Sequence, residues 1–286
     1  VQEIPRNFSL ADAVDVGNLH VDLGGGTRTV GHLVFGDTGL VDSDWWDLCN
    51  GTLNLSVSSG LPTIEINGVM SGIGVPAQIV GSFRKLGNQT LYVKSLPNGS
   101  VDIAAGQLCF ALAAADDIHF TAQSISGSGS VRFVGQGTGY YTFRNAQYSG
   151  TLSYTGHTIV ELDRGQGTWY EGVLWLEKDD VLPHATVLEL NSGKIYLRSQ
   201  TGGGITVAGL SGNADTVVTT DRGSWEVQKL TLNVAEGESY AYAGVIGADE
   251  SGVGNNNLAL TKAGKGTQIL SGANTFAGPL AVSEGT

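Results

Sequence analysis

The stretch Phe83–Val93, FRKLGNQTLYV, decides the fold, because the chain writes it three times. It recurs as Val131–Phe143, VRFVGQGTGYYTF, and as Leu260–Leu270, LTKAGKGTQIL. Anchored on Gly87, Gly135 and Gly264, each copy reads as an apolar residue, three residues, glycine, two residues, threonine, then a mostly apolar stretch. The first and last copies belong to a longer correspondence at a nearly fixed offset. Val30 and Leu33 match Val207 and Leu210, and Leu53, Leu55 and Val57 match Leu230, Leu232 and Val234. Gly68-Val69 matches Gly244-Val245 after a one-residue slip. A match sustained this far marks an internal repeat, which outranks any single-residue motif.

Between the copies the chain alternates short strand-like runs with small corner residues. NLHVDL, a Gly24–Gly26 turn and TRTVGHLVF open the pattern; TLNLSV, TIEI and the Asn67-Gly68 turn continue it. Val41–Leu48, VDSDWWDL, reads as an inserted polar-aromatic loop or edge, and Gly156–Pro183 is the least regular interior part. Strands of about five residues with period-two alternation suit a parallel β-helix, in which inward side chains of successive coils form one core. At roughly 20–25 residues per coil the chain makes about a dozen coils, a rod of about 60 Å. The expected fold class is therefore all-β, a parallel β-helix solenoid. A β-sandwich is the runner-up, but its strands are not expected to repeat in sequence. Val1–Gly17 reads as an N-terminal cap or joining strand; residues 18–286 form the β-helix, with modules near 30–93, 98–156 and 207–286.

Composition agrees. The chain has 286 residues, of which 43 are glycine and only 6 proline, and charged residues make up 15%. Long amphipathic helices need a charged outer face, and no capped 3.6-period stretch is found. The formal charge of −12 argues against nucleic acid and against an anionic membrane surface. The apolar run Leu108–Ala115 is far too short to span a bilayer, so no membrane insertion of this chain is expected. No signal peptide opens at Val1; either it was removed or the chain is a fragment. Cys49 and Cys109 are the two cysteines, free to pair in an oxidising compartment or to stay as buried inert thiols.

The segment Tyr242–Thr286 resembles the autotransporter-associated β-strand repeat, whose core reads L-T-K-x-G-x-G-T-x-x-L-S-G-A-N-T-Y-x-G. Leu260–Gly278 follows it closely, with Phe276 at the aromatic position. Thr27–Gly36 and Leu182–Gly212 look like segments that accompany this repeat in large bacterial surface proteins. The resemblance implies a right-handed parallel β-helix passenger, exported and displayed on, or shed from, the bacterial outer surface. The family repeat carries no catalytic residues, so no active site transfers.

Candidate chemistry is sparse. Asp42, Asp44 and Asp47 flank Trp45 and Trp46 in DSDWWD. These carboxylates offer ligands to a hard cation such as calcium, and the paired tryptophans offer faces to sugar rings, but the glycine and terminal glutamate of an EF-hand loop are missing. Trp169, Tyr170 and Trp175 form a second aromatic cluster where the repeat lapses. Insertions in a solenoid map to loops on one face, often the binding face, so these eight residues are the expected surface contacts. The acidic pairs Asp116-Asp117 and Asp179-Asp180 are the candidates for a polysaccharide-acting enzyme. Against that, adjacent strand residues face opposite sides, and Asp is a favoured turn residue. The five histidines show no metal-ligand spacing. Gly264-Lys265-Gly266-Thr267 lacks phosphate-loop context, and its repeat counterparts have no equivalent of Lys265.

The expected function is thus a non-catalytic extracellular stalk, adhesin or filament subunit, with no cofactor and no catalytic residue. Its partners are itself, by end-to-end or lateral association, or environmental glycans.

Overall fold

The computed structural model describes residues 19–37, 46–68, 72–75, 78–93, 98–112, 117–119, 124–135, 142–144, 149–162, 172–199, 201–221, 226–247 and 254–286. Among these residues the backbone forms a parallel β-helix. Each coil begins on one long sheet of eleven parallel strands, running from Leu19–Asp22 at one end to Thr267–Leu270 at the other. The chain then turns onto a middle face and a third face before climbing to the next coil. Ten steps of ~4.8 Å make the long sheet about 48 Å tall among the described residues, in keeping with about a dozen coils.

The other two faces are each divided. The middle face holds a three-stranded sheet (Thr27–Val30, Thr52–Leu55, Gln78–Val80), then a longer one that starts at Asp117–His119 and ends at Val245–Ile246. The third face holds five strands from His32–Asp37 to Ile125–Gly127, extended by a single bridge from Ile125 to Leu152. A second sheet then begins at Gly204–Val207 and ends at Leu280–Val282. One ladder among the described residues is antiparallel: Gly254–Asn255 against Val217–Asp221.

Alternation explains the core. Leu91, Leu108, Val131, Thr158, Leu188 and Leu210 stand in register on successive coils of the long sheet, and Val93, Phe110, Phe133, Val160 and Leu190 form the next column. All are buried. Phe110 and Phe133 stack at 5.6 Å between ring centroids, 25° from parallel. Thr158 tolerates a core position because its hydroxyl meets the Tyr154 hydroxyl at 2.6 Å and that of Thr186 at 3.0 Å, and Thr186 donates onward to the Gly156 carbonyl at 2.7 Å. A buried polar group is tolerated when its partners are inside with it.

Several sequence expectations change. The Gly135 copy is not equivalent to the other two. Gly87 and Gly264 lie at corners between the third face and the long sheet, whereas Val131–Gly135 lies within a strand of the long sheet itself. Asn67-Gly68 is not a turn but the end of the strand Thr63–Gly68. Of the supposed loop Val41–Leu48, residues from Trp46 onward belong to Trp46–Cys49, paired with Leu19–Asp22. In each case a neighbouring coil supplies backbone partners that local composition does not announce.

Candidate functional site

The sharpest chemical feature is a pair of caged lysines. Lys85 and Lys262 stand two residues before Gly87 and Gly264, at inward positions, with relative exposures of 0% and 5%. The Lys85 ammonium donates to the carbonyls of Gly87 at 2.6 Å and Ala105 at 2.9 Å, and also to that of Gln89. The Lys262 ammonium donates to Ala263 and Gly264, both at 2.8 Å, and to Glu284 at 3.3 Å. The strand registers pair Lys85 with Ile103 and Lys262 with Val282. Ala105 and Glu284 are therefore equivalent carbonyls, each on the following coil. Each lysine clamps its own corner to the corner stacked on it. Burial pushes the Lys85 amine down to about 8.

The glycine of each cage has a steric reason. Gly87 has φ +78° and Gly264 φ +71°, and an added Cβ would fall 2.1 Å from the Ile66 carbonyl oxygen or 2.2 Å from that of Val234. Those carbonyls belong to the preceding coil. Three consecutive coils thus meet at each corner. The Gly135 copy has Phe133 at the lysine position, stacked in the core instead.

A second polar constellation lies on the outward side of the long sheet. Arg132 is paired with Glu161 through its Nε at 3.0 Å and through its second nitrogen, Nη2. Asn191 donates to Glu161 and to Glu189, each at 3.0 Å, and His157 Nδ1 lies 2.9 Å from Glu189. Burial acts to raise the Glu189 carboxyl, but hydrogen bonds from His157 and Asn191, with the charges of His157 and Arg132, leave it below its ordinary value. Cys109 lies in the same region with 0% exposure, and burial pushes its thiol up to about 12. It is a packing residue, not a nucleophile. Cys49 and Cys109 are free; their strands are three apart in the long sheet, about 14 Å, beyond the reach of a disulfide.

Asp179 and Asp180 occupy the interruption of the third face. Asp179 accepts from the Gly204 N–H at 2.7 Å and from the Thr201 hydroxyl. Burial acts to raise its carboxyl, yet hydrogen bonds from Ser199, Thr201 and Gly204 together with the Lys229 charge hold it below the usual range. Asp180, at φ +46°, donates its N–H to the Gly204 carbonyl at 2.8 Å, accepts from the Thr206 N–H at 3.1 Å and lies 3.1 Å from His184 Nε2. The pair replaces a strand, supplying the start of Gly204–Val207 with backbone and carboxylate partners. The lowered Asp179 carboxyl is the opposite of what a general acid needs.

Of the expected surface contacts, Trp175 is overturned. Its relative exposure is 1%. It alternates with the core residues Leu174 and Leu176, and its ring meets Tyr196 edge-on at 4.9 Å and 67°. The Arg198 guanidinium lies 5.5 Å above it. The outward side of this sheet is covered here, which a single tryptophan in sequence does not reveal. Trp46 and Asp47 are placed only as strand backbone. Asp42, Asp44, Trp45, Trp169 and Tyr170, together with Asp116, lie outside the described residues; Asp117 is placed as backbone in Asp117–His119. Among the described residues no three of His, Cys, Asp and Glu form a group able to hold a metal ion, and no helix is long and apolar enough to cross a membrane.

The C-terminal motif can now be read residue by residue. Leu260 is core, Lys262 and Gly264 form the cage, and a Cβ at Gly272 would fall 1.9 Å from the Gly244 carbonyl oxygen. The Asn274 side chain accepts from the Ile246 N–H at 2.8 Å, standing in for a strand carbonyl. Phe276 packs against the core. Neither a curated protein nor a solved structure matches the chain. Residues 260–286 match the family model of the passenger-associated-transport-repeat, and the motif residues of that stretch, Lys262, Gly264, Gly272 and Asn274, are the ones that join coil to coil.

Proposed function

We propose that this chain is a non-catalytic β-helical rod of a bacterial passenger protein, displayed or shed at the cell surface, where it acts as a stalk or adhesin. The observation that carries this reading is the use made of polar side chains. Lys85, Lys262, Asn274 and Asp179 hold one coil to the next, and the matched repeat is composed of such joints. A passenger stalk needs that property: length built from identical joints, with loops left to carry recognition. Trp45, Trp46, Trp169 and Tyr170, with Asp42, Asp44 and Asp47, remain the proposed contacts for glycans. End-to-end assembly into a filament is the version of this reading in which the partner is a second copy.

Negative-stain electron microscopy of the purified chain, combined with a glycan-binding screen and a polysaccharide depolymerisation panel, tests it. Isolated short rods that bind glycans through Trp45, Trp46 or Trp169 support the adhesin, and uniform fibres support the filament. Depolymerisation that disappears in Asp117→Asn or Asp179→Asn would overturn the non-catalytic reading in favour of a carbohydrate-active enzyme.

A further inference from the structure

Among the described residues, the interruption of the third face leaves a strand edge open at a cleft. Leu152 is bridged to Ile125 on one side only: the Thr151 carbonyl accepts from the Ile125 N–H at 2.9 Å, and the Ser153 N–H donates to the Ile125 carbonyl at 2.8 Å. In a parallel ladder a residue's neighbours bond to one side while its own N–H and C=O face the other. The Leu152 donor and acceptor therefore face the next coil. There the chain runs as Lys178–Val181, where the Asp180 N–H is committed upward to the Gly204 carbonyl. Between Ser149–Leu152 and Lys178–Val181 lies a cleft of about 230 Å³.

We propose that this cleft docks an extended, basic peptide segment of a partner protein, which adds one strand to the edge at Leu152. Three observations select that occupant. The exposed groups at Leu152 are one backbone donor and one backbone acceptor at strand spacing, the pair that an added strand satisfies. The four-residue wall Ser149–Leu152 bends at Gly150 and offers at most about 13 Å for a chain to lie beside. The opposite wall carries the carboxylates of Asp179 and Asp180 beside the Lys178 ammonium, with His184 3.1 Å from Asp180 and the Lys229 charge acting on Asp179, on a chain of formal charge −12. A cationic side chain is favoured there, and its approach is steered by the field of the whole protein. A glycan fits less well, since none of the lining residues is aromatic.

The test is fluorescence anisotropy with a labelled hexapeptide of alternating lysine and valine, its glutamate–valine counterpart, and versions N-methylated at alternate residues in each register. Saturable binding of the basic probe is expected, with at least tenfold loss in one of the two N-methylated registers. Asp180→Asn, which suits the positive φ there, weakens binding several-fold. Lys178→Ala removes a cation that lines the cleft and strengthens binding several-fold, a gain that misfolding does not mimic. No binding of the basic probe at millimolar concentration overturns the proposal. So do equal binding of the acidic probe, indifference to N-methylation in both registers, or binding of a chitin hexasaccharide where the peptide fails, which would assign the cleft to glycans.

Discussion

Lys85 and Lys262, far apart in sequence, place their ammonium groups in the same cage: carbonyls of their own corner plus one carbonyl of the following coil, Ala105 for one and Glu284 for the other. The next residue on that coil is in each case a glycine in the left-handed region, Gly106 at φ +68° and Gly285 at φ +71°. A Cβ there would fall 2.4 Å from the Lys85 nitrogen or 2.8 Å from that of Lys262. Lysine and glycine on successive coils form one joint.

Lys85→Met should expose the value of that joint. Leaving buried carbonyls without a donor costs about 1–3 kcal/mol each in unfavourable cases, partly offset by removing a buried charge. A net loss of about 1–3 kcal/mol at neutral pH is expected, read from denaturant midpoints. The pH dependence is the sharper signature. Because the folded amine sits near 8 and the unfolded one at 10.5, the unfolded chain holds more protons between those values. Stability then rises with pH across that window, by up to about 3 kcal/mol from this group. The rise should be missing in Lys85→Met; an unchanged slope would sink the assignment.

Gly87→Ala should be among the most damaging single changes. It demands a positive φ of an alanine and drives its Cβ to 2.1 Å from the Ile66 carbonyl oxygen. Backbone strain of this type costs about 1–3 kcal/mol before the clash is counted. Thermal unfolding of the variant should shift down by several degrees, and a neutral result would mean that the corner rearranges freely.

Thiol labelling separates the cysteines. Cys109 is fully buried with its thiol raised to about 12, while Cys49 is half-buried. A maleimide should label one thiol per native chain, at Cys49, and both after unfolding. Non-reducing mass spectrometry of oxidised native protein should find no intramolecular bond between them.

Asp179 anchors the Thr201–Gly204 corner. Its folded carboxyl lies below its ordinary value of 3.8, so its stabilisation is present above that pH and is lost as pH falls through the folded value. Asp179→Ala should speed hydrogen exchange at the Gly204 amide at pH 7 by roughly tenfold, on the order of 1 kcal/mol for one charge-assisted hydrogen bond. Exchange there as slow as in the parent protein would show that the backbone holds the corner unaided.

Much of this architecture was legible beforehand. The alternation of Leu230, Leu232 and Leu260 and the corner glycines announced short strands stacked as coils, since inward side and tight corner are local properties. The lysine at minus two was written in both equivalent copies and absent from the third, a signal that the glycine spacing alone concealed. Trp175 misled because an aromatic cluster at a break in the repeat looks the same whether neighbouring strands cover it or leave it open. For the acidic pair, turn preference was the better guide: Asp180 adopts a left-handed turn conformation and Asp179 ties down a neighbouring corner.

The sequence by itself determined that the chain is an all-β solenoid of short stacked strands and marked the corners at Gly87 and Gly264, because period-two alternation and glycine sterics act within a few residues. Only the tertiary structure decided which of three faces each strand joins, that the Gly135 copy lies within the long sheet, and that the third face breaks between Leu152 and Gly204. Those choices depend on the coil stacked above or below, tens of residues away along the chain, where hydrogen-bond partners are set by the climb of the whole helix and not by any local pattern.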